Sequence, residues 1–124
     1  EIKTICNAIA DTIPLDALFA LPAVRESGGN AIAVSDDETL MAGYQLSSME
    51  GVFAEPSSST TIAALKKLRD EKIIDRDETV LCMITGTGFK DLRSISGIKG
   101  RFVKLSPDLD IVLSYINREI LHGK

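Results

Sequence analysis

Several things are scarce in this chain, and each scarcity narrows what it can be. No apolar stretch approaches the roughly 20 residues that a membrane span requires, and the opening Glu1-Ile-Lys-Thr4 has no signal-peptide character. No initiator Met is present either, so a processed or truncated start is expected, with the chain a fragment of something longer. Basic clusters are lacking: 14 Lys and Arg are scattered against 18 Asp and Glu, for a net charge of -4. That balance argues against nucleic acid or an anionic membrane as the main partner. The two cysteines, Cys6 and Cys82, form no Cys-x-x-Cys motif and read as reduced, small, buried residues of a cytosolic, cytoplasmic protein. The single histidine, His122, sits beside Gly123 and Lys124 at the end of the chain, where a helix-end role outweighs catalysis. No cluster of metal-ligating residues stands out.

What is present is ordinary globular material. The 124 residues are 44% apolar and 26% charged, enough for one domain with a real core. Val80-Leu-Cys-Met-Ile84 is the most informative stretch. Five apolar residues bounded by turn chemistry suit a strand buried on both faces, as in a parallel sheet. Thr85-Gly-Thr-Gly88 then forms a turn in which Gly86 and Gly88 permit close approach of another group to the main chain. Open α/β sheets bind ligands at the carboxyl ends of their strands, which makes Thr85 a candidate ligand edge.

The rest of the chain falls into alternating elements. After a loose lead-in over residues 5–13, Pro14 suits the first turn of a helix reaching Arg25, with Leu15, Leu18, Phe19, Leu21 and Val24 as its apolar face. Pro22 is expected to kink or split that helix. Ser27-Gly-Gly-Asn30 is a break, and Ala31–Val34 reads as a second buried strand. Ser35 and Glu38 form a capping box opening a helix to about Met49, with Gly51 just past its end. Ser57, Ser58 and Ser59 precede Ile62, Leu65 and Leu68 at helical spacing, so they fall at a helix N-terminus, where they serve as caps or meet an anion. Lys66, Lys67, Arg69, Asp70 and Glu71 form its solvated side. A short edge strand is expected over Arg101–Leu105. A last helix opens at Ser106-Pro-Asp108, with Leu109, Val112, Leu113, Ile116 and Ile120 as a buried stripe. The order implies a three-layer α/β/α architecture on a mostly parallel sheet, a single α/β domain over residues 1–124.

Three strings in this frame resemble the threonine-synthase family of pyridoxal-phosphate enzymes. Glu26-Ser-Gly-Gly29 followed by Ala33-Val-Ser-Asp-Asp-Glu38 echoes its Ser-Gly-Gly segment, strand and acidic helix start. Gly51-Val-Phe-Ala-Glu-Pro-Ser-Ser-Ser59 matches its Gly-Ile/Val-Phe-x-Glu-Pro-Ala-Ser-Ala, and Ile84-Thr-Gly-Thr-Gly-Phe-Lys-Asp91 matches its Leu-Thr-Gly-His-Gly-Leu-Lys-Asp. The likeness covers most of residues 5–91 in the family's order and spacing. Related dehydratases and β-synthases share the Glu-Pro helix start, whereas the Thr-Gly-x-Gly-x-Lys-Asp string is more specific. Two departures are Thr87, where the family has histidine, and Ser57, where it has alanine.

The resemblance implies part of the large domain of a fold-type-II enzyme with pyridoxal phosphate as cofactor. It makes Thr85 the hydroxyl that meets the cofactor's pyridine nitrogen, has Gly86 and Gly88 shape the turn around the ring, and sets Glu55 and Ser58 along the cofactor side. The implied reaction turns O-phospho-L-homoserine and water into L-threonine and phosphate. The family's Schiff-base lysine and glycine-rich phosphate loop lie in its amino-terminal lobe, the expected partner of this chain. No lysine here occupies the matching setting, so the chain alone is expected to be inactive, with no catalytic residue of its own. It is also expected to self-associate through the surface meant for that lobe. Two other readings compete: a related dehydratase, ammonia-lyase or β-replacement enzyme, and a non-catalytic interaction module derived from the same fold.

Overall fold

The structure, a computed structural model, describes residues 2–95 and 103–121. Its organising pair is α2 (Asp36–Glu50) and α3 (Pro56–Asp70), which pack against each other. Helix α2 begins where the sequence places it. The Ser35 side chain accepts from the Glu38 N–H while the Glu38 carboxylate accepts from the Ser35 N–H at 2.6 Å, and three acidic residues fill the first turn. Its end is equally local, with Gly51 left-handed at φ 70° and its N–H on the Ser47 carbonyl. The seam between α2 and α3 is made of small residues: Thr39 and Ala42 on one side, Ser59 and Ala63 on the other, all buried. A Cβ on Gly43 would meet the Ser59 Oγ at 2.8 Å, so the helices approach closely because nothing bulkier stands between them.

Residues before α2 are strapped onto this pair. Thr4 Oγ1 donates to Asp36 at 2.6 Å and the Ile5 N–H to the same carboxylate at 3.1 Å. A single 3-10 turn follows at Asn7–Ile9, next to α3. Cys6 is buried there, and burial pushes its thiol above its ordinary value, with the Asp36 charge adding to the effect and hydrogen bonds from Thr4 and Thr39 opposing it. Cys82 is half-buried and also a free thiol.

Three expectations change on contact with the structure. The first helix, α1 (Ala17–Glu26), starts three residues after Pro14 and runs through Pro22 without splitting. Pro22 removes one hydrogen bond, to the Leu18 carbonyl, in a helix open to water, where solvent can take over the acceptor. Its apolar face is not buried: Leu15, Leu18 and Phe19 are 82%, 82% and 78% exposed. The last helix, α5 (Leu109–Tyr115), is capped by Asp108, whose carboxylate accepts from the Asp110 and Ile111 N–H groups, rather than by Ser106. It continues into a π-helical turn at Ile116–Leu121. Leu109 and Leu113 on its expected stripe are exposed, Val112 and Ile116 are half-buried, and the side chain of Ile120 lies outside the described set. Between them, α4 (Leu92–Ile95) is a single turn. His122, Gly123 and Lys124 lie outside the described residues, as do Arg101 and Phe102 of the expected edge strand.

The third change concerns the sheet. Among the described residues there is no β-strand, only an isolated antiparallel bridge between Ala54 and Thr87. Residues 31–34, 80–84 and 103–105 carry no ladder, because a strand needs a neighbouring backbone and these segments lie beside none. They keep a strand's side-chain period nonetheless. Ile32 and Val34 are half-buried while Ala31 and Ala33 are exposed; Cys82 and Ile84 are half-buried while Leu81 and Met83 are 89% and 66% exposed. Lys67 on α3 donates to the Ala33 carbonyl at 2.9 Å, tying the first of these segments to the helix pair. The total exposed surface is 10042 Å², against roughly 6,500 Å² for a closed domain of this mass.

Candidate functional site: the Glu55–Lys90 clasp

Two loops meet at the N-terminus of α3. The first, residues 52–55, leads into the helix through Pro56, whose missing N–H costs nothing at the first helical position. The second, residues 85–88, crosses it antiparallel. The Glu55 N–H bonds the Gly86 carbonyl at 3.0 Å and the Gly88 N–H bonds the Phe53 carbonyl at 3.0 Å, on either side of the Ala54–Thr87 bridge. Residues 88–90 then close a 3-10 turn capped by the Thr87 hydroxyl, and Phe89 folds back onto Phe53 edge to face at 4.9 Å.

Both glycines are there for proximity rather than for left-handed backbone, since neither has a positive φ. A Cβ on Gly86 would collide with the Glu55 carboxylate, and one on Gly88 would come within 2.7 Å of the Phe53 ring. The groups that approach so closely belong to the chain itself. Glu55 is buried, and its carboxylate meets the Lys90 ammonium at 3.5 Å.

The serines of α3 neither cap the helix nor stand free. Each ties a different strand of chain to the first turn. Ser57 Oγ accepts from the Ala8 N–H at 3.1 Å, so the serine that replaces the family's alanine holds the lead-in segment. Ser59 Oγ donates to the Glu55 carbonyl at 3.0 Å. Ser58, 2% exposed, accepts from the N–H groups of Thr85 at 3.1 Å and Gly86 at 2.8 Å, and its Oγ lies 3.2 Å from Thr85 Oγ1. All five residues singled out in the sequence, Glu55, Ser58, Thr85, Gly86 and Gly88, therefore come together in one clasp. Sequence reasoning missed Phe53, which supports Gly88, Lys90 as partner of the buried Glu55, and Asn7, whose amide reaches Asp91 at 3.4 Å. Lys90 was readable, because a buried carboxylate beside a conspicuous string with one lysine asks for that cation. The role of Asn7 has no local signal.

Beside the clasp lies a hollow of about 360 Å³ lined by Asn7, Glu55, Lys90 and Asp91 among others. The Ser94 hydroxyl and N–H, with the Asn7 amide, hold the Asp91 carboxyl below its ordinary value. Among the described residues no group of His, Cys, Asp and Glu could hold a metal ion. At the clasp's open edge stands Thr85, exposed, with Ser58 as its side chain's hydrogen-bond partner. A neutral hydroxyl with bonding capacity to spare suits an uncharged heteroaromatic nitrogen, so the residues present fit the ring end of a pyridine cofactor.

Comparison with known proteins decides the family. The profile described as "Pyridoxal-phosphate dependent enzyme" matches residues 1–86. The chain belongs to that family. Membership carries the fold-type-II frame expected from the motif strings. Curated relatives agree with the finer resemblance. The threonine synthase of Methanocaldococcus jannaschii is 42% identical over 110 residues, 89% of this chain and 27% of that protein. That of Methanosarcina acetivorans is 38% identical over 122 residues, 98% of this chain and 29% of that protein. That of Mycobacterium bovis is 40% identical over 89 residues, 72% of this chain and 25% of that protein. This chain thus spans between a quarter and three tenths of the length of these relatives. Among the described residues no helix is long and apolar enough to cross a membrane.

Proposed function

We propose that this chain is one portion of a threonine synthase that converts O-phospho-L-homoserine and water into L-threonine and phosphate. Its clasp forms the ring-nitrogen side of the pyridoxal-phosphate site. The observation carrying this is the attachment of Thr85 to Ser58 at the first turn of α3, which fixes a neutral hydroxyl at the open edge of a loop otherwise closed on itself. The cofactor, when bound, supplies an electron sink for carbanion chemistry on an amino acid. Thr85 donates to its ring nitrogen, Gly86 and Gly88 leave the loop flat enough to lie along the ring, and Glu55 with Lys90 fills the space behind the loop. A hydroxyl at this nitrogen, unlike a carboxylate, does not hold a proton there, so the sink is tempered. That suits a sequence of elimination and replacement at the β and γ carbons. The lysine that holds the cofactor and the phosphate-binding loop come from the amino-terminal lobe of the enzyme.

The same reading makes segments 31–34 and 80–84 strands of a mostly parallel sheet. What supports it is their two-residue burial period over α3 and their exposed outer side chains, together with an open surface half as large again as a closed domain of this mass carries. The other members of the fold, dehydratases and β-replacement enzymes, share the Glu-Pro helix start, but the relatives matched across both loops are threonine synthases. The test is to purify the full-length enzyme carrying this chain, supply O-phospho-L-homoserine, L-serine and L-threonine separately, and measure phosphate, ammonia and threonine. Equimolar phosphate and threonine from the first substrate is the expected result. Ammonia from L-serine or L-threonine, with no turnover of the phosphorylated substrate, would assign the chain to a dehydratase.

A further inference from the structure

The direction of the hydrogen bond between Ser58 and Thr85 follows from counting. A serine hydroxyl has two acceptor lone pairs and one proton. Two backbone N–H groups, those of Thr85 and Gly86, both point at Ser58 Oγ and take up both lone pairs. A third donor there would find no lone pair, so Thr85 cannot be the donor in the contact at 3.2 Å; Ser58 is. Ser58 is on the first turn of α3 and 2% exposed, which keeps water from exchanging for any of these three partners. Thr85 Oγ1 is thereby an acceptor toward the protein, and its own proton has no partner among the described residues. It faces outward from the clasp.

From this chain of donors we infer that Ser58 is a positioning residue which sets the polarity of the Thr85 hydroxyl, so that Thr85 presents a proton and not a lone pair to the ligand. The inference rests on the reading of Thr85 as partner of the cofactor's ring nitrogen. It goes further in specifying the state that nitrogen must have. A donor hydroxyl is matched only by an unprotonated ring nitrogen; a protonated one would face a hydroxyl hydrogen and be repelled. The site therefore selects the neutral pyridine through two backbone amides and a buried serine. Without Ser58 the Thr85 hydroxyl rotates freely and offers proton or lone pair alike.

The experiment uses the full-length, cofactor-loaded enzyme with nitrogen-15 in the cofactor ring, as wild type, Ser58→Ala, Thr85→Val and the double variant. Two quantities are read, the ring-nitrogen chemical shift across pH and the cofactor dissociation constant. In wild type the nitrogen stays in the hydrogen-bonded, unprotonated range across neutral pH. Ser58→Ala weakens cofactor binding about tenfold and lets the nitrogen take up a proton at higher pH than in wild type. In the Thr85→Val background Ser58→Ala adds less than twofold, because Ser58 acts only through Thr85. Should Ser58→Ala fail to fold, Ser58→Cys keeps the volume while weakening all three hydrogen bonds, and the same shift is expected in smaller measure. If Thr85→Val alone alters neither quantity, the cofactor-facing reading of Thr85 falls and this inference with it. If Thr85→Val alters both while Ser58→Ala and Ser58→Cys leave the nitrogen's titration as in wild type, or if the two losses simply add, Ser58 is a structural residue and the inference alone is overturned.

Discussion

Gly86 and Gly88 show at the scale of single residues how much of this site is decided by the space a missing side chain leaves. Both permit a close contact, but with neighbours of unequal stiffness. The Glu55 carboxylate over Gly86 is the end of a side chain that can swing away if Lys90 releases it, and an ion pair with Lys90 so exposed holds it only weakly. The Phe53 ring over Gly88 is pinned by Phe89 and cannot swing. Gly88→Ala should therefore cost about 1–3 kcal/mol, the usual scale of overpacking, and Gly86→Ala less. Combining Gly86→Ala with Glu55→Ala should recover most of the loss, because the second change removes the obstacle created by the first. Urea denaturation of the four variants and wild type measures this. Equal losses at both glycines, or no recovery in the double variant, would mean the contacts are softer than the distances imply. These glycines were legible in the sequence as points of close approach. The approaching groups were not, because Phe53 and Glu55 are more than thirty positions away in the chain.

Among elements, α2 was the most legible and the reason is locality. Ser35, Glu38 and Gly51 determine both ends through bonds spanning three or four residues, so no tertiary information was needed. Its cap also makes a pH prediction. Hydrogen bonds from the Ser35 N–H and hydroxyl, with help from Lys67 and Lys66, hold the fully exposed Glu38 carboxyl below its ordinary value. A carboxyl with a lowered folded-state value stabilises the fold above its unfolded value, and the contribution disappears as pH falls through the folded value. Glu38→Gln should thus be destabilising at neutral pH and nearly neutral below pH ~3, with Ser35→Ala costing about 1 kcal/mol at neutral pH. Thermal melts at the two pH values check it, and a Glu38→Gln deficit that persists undiminished in acid would contradict it. The helices at the two ends were read less well. A start at Pro14 and a cap at Ser106 both fit the local pattern. The structure prefers Asp108, a carboxylate that takes two N–H groups at once, and lets α1 begin three residues later.

For the molecule as a whole, what the sequence signalled and what the described residues contain part company at the sheet. The signal in 31–34 and 80–84 was apolar content and length. Pairing, however, is a property of two backbones, and these two segments lie beside no third or fourth. Leu81, Met83, Leu15, Leu18 and Phe19 stay exposed for the same reason: a face made to be covered is bare. The described lysines tell a parallel story. Lys90 pairs with Glu55, Lys66 with Asp70, and Lys67 with Glu38 and the Ala33 carbonyl, which leaves none of these three free to carry a cofactor. Mixed with pyridoxal phosphate, the 124-residue chain should develop no visible band above that of free cofactor, and borohydride reduction should leave no stoichiometric pyridoxyl adduct on any one lysine. A single lysine labelled in full would show that the chain holds its cofactor unaided.

The account turns on Thr85, and one substitution reaches it directly. Thr85→Val in the full-length enzyme keeps the shape of the side chain and removes its hydroxyl. The buried ring nitrogen then loses a hydrogen bond worth roughly 1–3 kcal/mol. Equilibrium dialysis of pyridoxal phosphate should give a dissociation constant raised by about one order of magnitude, with the enzyme still folded and its visible spectrum shifted. A dissociation constant and spectrum indistinguishable from wild type would contradict the placing of this clasp at the cofactor's ring nitrogen.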